Sequence, residues 1–160
     1  MMDSASGRHD FAFQTGHWHV RHRKLRQRLA NSTDWFEFDG TCDAWEILGG
    51  DGNLDDHFLD DPAGVYRAAT FRRIDPETGE WLIWWADGRR GSLDDPMRGS
   101  FKDGKGLFFG RDVLNGHPIE VRFIWACDKP DMPRWKQAFS ADGGRNWETN
   151  WIMTFSRSGR

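Results

Sequence analysis

The sequence predicts an all-β protein: an antiparallel up-and-down barrel of about nine to ten strands, with a minor helical turn near the N-terminus. Three observations carry this. Aromatic residues make up 14% of the chain, with 10 Trp and 12 Phe against 1 Tyr, and such residues suit the pleated, half-buried surface of a sheet. Runs of Ala, Leu, Glu and Lys that would favour helices are few. Short alternating segments are separated throughout by Gly, Asp, Asn and Pro, the turn chemistry of closely spaced antiparallel strands. A barrel is preferred to a sandwich because several strands mix large aromatics with charged or amide groups on the face that must be inner. A closed barrel of this strand number can hold a small-ligand cavity.

At 160 residues and 18.6 kDa the chain suits one core and not two. Residues 1–10 are polar and aperiodic and are read as a flexible tail, leaving 11–160 as a single domain. Residues 11–15 suit a helical turn or a plug. The first convincing strand, 16–23, places Trp18, Val20 and His22 on one face and His17, His19, Arg21 and Arg23 on the other. A polar connection, 25–33, leads to a second strand at 35–42 and a third at 44–48, which ends at Gly49-Gly50. Residues 51–57, rich in Asp, Gly and Asn, read as a loop. Strands follow at 65–74 and 80–87, joined by a turn at Asp75-Pro76 to Gly79.

The strand 80–87 carries Trp81, Leu82, Ile83, Trp84 and Trp85 and is apolar on both faces. Burial on both sides is expected of it, and a homodimer is the partner it suggests. A long loop, 89–97, precedes a hairpin of 98–102 and 106–112 around Asp103-Gly104-Lys105. Residues 118–127 form the next strand, which two prolines in 128–133 end. The chain closes on a hairpin, 134–157, whose two aromatic-alternating arms flank Asp142-Gly143-Gly144.

The formal net charge is −3, from 22 basic and 25 acidic residues that are interspersed. No nucleic-acid or membrane footprint is expected from that balance. The basic run 21–28 is short and reads as a strand end and a loop. Two cysteines, Cys42 and Cys127, have no zinc-type spacing, and no signal segment or bilayer-length apolar run is present. A reduced, cytoplasmic protein is the expectation, with a Cys42–Cys127 disulfide left open.

Two ends of the chain carry a resemblance. Gly16-His17-Trp18, with Arg157 near the close, resembles the lipocalin and calycin signature, in which an early Trp and a late Arg pack together at the closed end. Gly49-Gly-Asp-Gly-Asn53, Val121-Arg-Phe-Ile-Trp125, Gln137-Ala-Phe-Ser140 and Asp142 to Trp151 add to it. Together they are similar to a bacterial family of lipocalin-like proteins of unknown function, from about Phe11 to Arg157. The resemblance implies a lipocalin-like barrel and leaves activity open.

Several polar groups interrupt the aromatic alternation: Arg72, Asp87, Arg122, Gln137, Glu148 and Asn150. Two readings stand. Long polar groups among tryptophans can form a structural network, Arg122 with Glu148 for instance, because a buried charge needs a partner. Alternatively Arg72, Gln137 and Asn150 orient a small-molecule ligand whose apolar body stacks on Trp35, Trp84, Trp125 and Trp151. Binding of a small aromatic or amphipathic molecule is the leading function. A cofactor-independent isomerase, cyclase or lyase is the alternative, with His22, His57, Asp87, Arg122 and Glu148 as acid/base candidates. A third is haem, for which only His22, His57 or His117 could supply the axial ligand. The pair His17 and His19 has no third ligand at suitable spacing, so neither metal nor cofactor is expected.

Overall fold

The computed structural model describes residues 7–157. Ten strands are present: β1 (Gly16–Leu25), β2 (Trp35–Ile47), β3 (Gly52–Leu59), β4 (Tyr66–Ile74), β5 (Trp81–Asp87), β6 (Met97–Lys102), β7 (Lys105–Leu114), β8 (His117–Ala126), β9 (Arg134–Ser140) and β10 (Glu148–Arg157). Each pairs antiparallel with its sequence neighbours. The pairing of β1 with β10, from Trp18 opposite Arg157 to Lys24 opposite Trp151, closes the sheet on itself. Closure leaves the sheet unpaired only at the seam beyond Ile83, which limits edge-to-edge association. No helix among the described residues is long and apolar enough to cross a membrane.

The expected helical turn is the 3-10 segment Ala12–Gln14, and it plugs one end of the barrel. Phe11, almost fully buried, meets Trp81 and Phe101 edge-on at ring distances of 4.9 Å each. Trp18 donates its indole N–H to the Gln14 carbonyl at 2.7 Å. The Arg157 guanidinium lies 3.7 Å from the centre of the Trp18 ring and donates to the Thr15 carbonyl. The early Trp and late Arg of the signature therefore pack together, a cation held on an aromatic face. A Cβ at Gly16, where φ is +122°, would collide with that guanidinium, so the position needs glycine. Of the expected tail, residues 1–6 lie outside the described residues. Residues 7–10 form a turn against the closed end, where His9 N–H donates to the Gly50 carbonyl and Trp81 donates to Asp10.

Two boundaries differ from the sequence reading. The second and third expected strands are one strand, β2, and the expected loop 51–57 lies almost wholly within β3. Its residues alternate strictly, with Asn53, Asp55, His57 and Leu59 buried inside and Leu54, Asp56 and Phe58 between them. The inward set is polar, so the strand has the composition of a loop and the periodicity of a sheet.

The opposite end is open on one side. β5 pairs with β6 only from Trp81 to Ile83, which face Gly99 to Met97. Beyond this the upper halves of β5 and β7 diverge, and residues 88–96 bridge the seam. A cavity opens there.

Candidate functional site

The cavity has a volume of about 420 Å³, within the range of sites that enclose small molecules. Its body is aromatic, with Trp85, Trp135, Trp151, Phe123 and Phe139 on the walls, and its mouth carries Lys24, Arg28, Arg89, Asp87, Arg111 and Asp112. The alternation of the strands produces this: Ile83, Trp85 and Asp87 point inward from β5, as do Val121 and Phe123 from β8. A narrow tip of about 20 Å³ continues the space toward the closed end, lined by His57, Arg72, Trp125 and Phe155 and sharing Trp85, Phe123 and Trp135 with the wide part.

At the mouth, β1 brings in Lys24, which is buried. Its Nζ lies 3.1 Å from the Tyr66 hydroxyl, 3.4 Å from Asp61 Oδ2 and 4.1 Å from the centre of the Trp151 ring. Burial, which Asp61 opposes, and the charges of Arg28 and Arg89 push the Lys24 amine down to about 8, and burial pushes the Tyr66 phenol up to about 12. Asp87 accepts two hydrogen bonds from the Arg89 side chain, at 2.7 and 3.0 Å, and one from the Arg89 backbone N–H at 2.8 Å. Those hydrogen bonds hold its carboxyl below the usual carboxylate range. The same guanidinium lies 3.6 Å from the centre of the Tyr66 ring, and Arg28 covers Phe139.

Below the tip is a fully buried polar centre. Asp55 accepts from Arg72 at 2.9 Å, from Gln14 at 3.0 Å and from the Thr70 backbone N–H at 2.9 Å. Arg72 also donates to Gln14 at 3.1 Å and to Asn53. His57 Nε2 stands 3.4 Å from Asp55 and 3.6 Å from the Cys42 thiol. Cys42, Asp55 and His57 bring their ligand atoms within 4.8 Å of one another, a donor set that could hold a metal ion. The Arg72 guanidinium already supplies the positive charge that Asp55 faces. Burial and the charge of Asp55 push the Cys42 thiol well up, which opposes the thiolate that a metal requires. The set fits a structural ion pair better than a metal centre.

The expected site residues divide accordingly. Gln137, Trp151 and Asp87 line the wide cavity, while Arg72, Trp125 and His57 line the tip. Asn150 is buried at a β-bulge in β10 and accepts from Gln137 at 2.9 Å. The other six are not among the cavity-lining residues. Arg122 alternates with the cavity-lining Val121 and Phe123, so it points outward, where it covers Trp147 at 4.5 Å. Glu148 accepts the Leu29 backbone N–H at 2.6 Å and ties down the 26–34 connection, so the anticipated Arg122–Glu148 pair is not formed. Trp84 stacks on Phe71 on the outer face, and Trp35 lies under Arg23 there. His22 is buried in the wall, stacked on Phe38 at 4.6 Å. His117 is exposed at the start of β8.

None of His22, His57 and His117 faces the wide cavity, so the three do not fit an axial role for a haem held there. His17 and His19 point outward and bond to Asp43 and Asp39. In the basic run, Arg21 and Arg23 pair with Glu37, and Arg26 pairs with Asp34. Cys42 and Cys127 are both free thiols. Of the wide cavity's other walls, Trp135, Phe123, Phe139 and Tyr66 were legible from alternation, whereas Trp85 was not, because its strand is apolar on both faces. Lys24 was legible, since it continues the inward series of Trp18, Val20 and His22 by one step.

With this geometry the chain is a closed ten-stranded antiparallel barrel of the lipocalin-like kind with a lateral cavity. Among solved structures it is similar to the S-type phycobiliprotein lyase CPES from Guillardia theta, with 10% sequence identity and a TM-score of 0.58, covering 98% of this chain and 96% of that one. At that identity the likeness is one of fold. No protein-family model matches the chain, and no curated protein matches it in sequence.

Proposed function

We propose that the protein binds a small aromatic or amphipathic organic molecule in the barrel. The observation that carries this is the 420 Å³ cavity, with an indole and phenyl body and a charged rim at its mouth. Apolar burial supplies affinity, about 1.5–3 kcal/mol for a group the size of a Phe side chain. Lys24, Arg28, Arg89 and Gln137 would orient the polar end. The lipocalin-like barrel shared with a phycobiliprotein lyase supports a small-molecule role for the interior, and the free thiols support a reducing, cytoplasmic setting. The test is fluorescence titration with 1-anilinonaphthalene-8-sulfonate. Val121, buried on the cavity wall, is replaced by Trp to fill the space, and binding is expected to weaken about tenfold or more, the equivalent of losing one large apolar contact. Equal binding by the folded variant would refute the cavity as the site.

The enzyme reading is second, favoured by the buried amine of Lys24 beside the Tyr66 hydroxyl in that cavity. A homodimer is also proposed. Its support is the outward pair Phe71 and Trp84 on adjacent strands, and the exposed Leu107 and Phe109 on β7. Light scattering at micromolar concentration is expected to give twice the 18.6 kDa chain mass, and a monomer mass removes the proposal.

A further inference from the structure

We propose that Lys24 is a nucleophile that forms an imine with an aromatic aldehyde or ketone bound in the cavity, with Tyr66 as the proton donor and acceptor of the step. This rests on the reading of the cavity as a small-molecule site and names the substrate class for it. Three observations on geometry carry it. The Lys24 amine lines the cavity although the residue is only 9% exposed, so a molecule in that space meets it directly. Its surroundings are aromatic: Trp151 at 4.1 Å, Phe38 at 5.4 Å and Tyr66 at 5.5 Å from the ring centres. The one carboxylate within salt-bridge distance of it among the described residues, Asp61, is at 3.4 Å, a loose pairing for a buried ammonium.

A lysine held in this way is suited to give up its proton, because its charged form is poorly compensated. The groups that face it agree. Arg28 from the connection after β1 and Arg89 from the seam after β5 oppose its charge, while Asp61 alone favours it and Tyr66 contributes a neutral hydroxyl. With the amine near 8, roughly a tenth is neutral at pH 7, where an ordinary lysine near 10.4 has only a few parts in ten thousand. The phenol stays protonated across the same range.

The step balances without a further reactant. The neutral amine adds to the carbonyl carbon, and the C–O π bond becomes an alkoxide that takes the Tyr66 proton. One amine hydrogen restores the Tyr66 hydroxyl, and the new hydroxyl on carbon leaves as water with the other, so that the nitrogen lone pair closes the C=N bond. At 3.1 Å the hydroxyl is within reach of the nitrogen throughout. The aromatic walls would hold the flat body of the carbonyl compound against Trp151 and Trp135, which meet edge to face at 5.2 Å.

The experiment uses 2-naphthaldehyde at low micromolar concentration, with borohydride added after brief incubation to reduce any imine to a stable secondary amine. Peptide mapping by mass spectrometry then locates the label among Lys24, Lys102, Lys105, Lys129 and Lys136. The expected result is one naphthylmethyl group on Lys24, a labelling rate whose pH midpoint is near 8, and loss of the label in Lys24→Met. Tyr66→Phe should slow the labelling several-fold at unchanged affinity for 2-naphthol. Mapping on the unaltered protein makes the outcome independent of how Lys24→Met folds. Label spread over the other four lysines would overturn the proposal. So would an unlabelled Lys24 in a protein from which 2-naphthaldehyde displaces anilinonaphthalene sulfonate, an outcome that leaves the binding reading intact. If the sulfonate does not bind the cavity at all, the binding reading fails, and the imine with it.

Discussion

Replacing Asp55 by Asn is expected to lower the unfolding free energy by roughly 3–5 kcal/mol, the cost of removing one partner from a buried ion pair. Arg72, which is only 3% exposed, would keep its charge inside the barrel. Its guanidinium lies over Phe11 at 4.8 Å and Trp125 at 5.6 Å, and these rings cannot replace a carboxylate. The Asn amide would also turn an N–H₂ toward donors on Arg72, Gln14 and Thr70, which now converge on two acceptor oxygens. Substituting both charges, Asp55→Leu with Arg72→Met, should recover part of the loss, because no buried charge is left without its partner, while the Thr70 N–H and the Gln14 amide lose their acceptor. Urea unfolding of the two single variants and the double variant gives the coupling. A loss below about 1 kcal/mol for Asp55→Asn would place this pair with weak surface ion pairs and reject the account. The pH dependence has a definite sign. Burial raises the Asp55 pKa, but the Arg72 charge outweighs it and the folded value lies well below the ordinary one. Its stabilisation is therefore present above the unfolded value, near 3.9, and is lost as pH falls below it. Asp55→Asn should lack that acid loss.

This polar centre also explains what the sequence could and could not disclose. The barrel class was legible because Trp18, Val20 and His22 alternate along β1 and because the Asp103-Gly104 turn, with φ of +55° and +77°, links β6 to β7 as a tight hairpin. β3 was not legible as a strand, because its inner face holds Asn53, Asp55 and His57, and only Arg72 across the sheet makes that tolerable. Pairing between residues separated by 17 positions leaves no mark on local periodicity. The facing of the site residues failed for a different reason. One extra residue at the Asn150 bulge shifts the phase of β10, so Trp147 and Trp151, which strict alternation would put on one face because they are four apart, end on opposite sides of the wall. Trp147 covers the outside with Phe109 and Arg122, while Trp151 faces the cavity. In β5 the alternation itself is intact, but apolar residues occupy both faces, so composition could not separate the inner Trp85 from the outer Trp84.

The barrel thus has a locked end and an adaptable end. Phe11, Gln14, Trp18, Arg72 and Arg157 consolidate the first, where Asp55 gathers the donors of Arg72, Gln14 and Thr70. At the second, β5 parts from β6 after Ile83, and the charged side chains of the mouth surround open space. Between the two stands a wall element that joins stability to the cavity: His22, whose Nδ1 accepts the indole N–H of the cavity-lining Trp151 at 3.1 Å.

Protonation of His22 is expected to unfold the barrel from that wall. The ring is fully buried, stacked on Phe38 with an interplanar angle of 7°, and closely faced by Gly40, where a Cβ would come within 3.1 Å of Nε2. Accepting from Trp151 at Nδ1 requires the neutral ring with its proton on Nε2. Burial, then the charges of His57 and Lys24, hold its pKa down to about 2 against 6.5 for the free side chain. A base whose folded pKa is depressed stabilises the fold fully above the unfolded value, and the contribution declines as pH falls from 6.5 toward the folded value. Between pH 6 and pH 4 the loss from this one residue is about 2.5 kcal/mol, near the limit of 1.4 kcal/mol per pH unit for a single proton. His22→Asn is the informative substitution, because its amide oxygen can accept from Trp151 while the titration disappears. The variant should be less stable than the natural protein at pH 7, where it has lost the Phe38 stacking, yet its unfolding free energy should fall about 2.5 kcal/mol less between pH 6 and pH 4. Urea unfolding followed by circular dichroism at pH 6, 5 and 4 reads this difference directly. Parallel pH slopes for the two proteins would mean that the buried imidazole does not govern the acid response between pH 6 and pH 4.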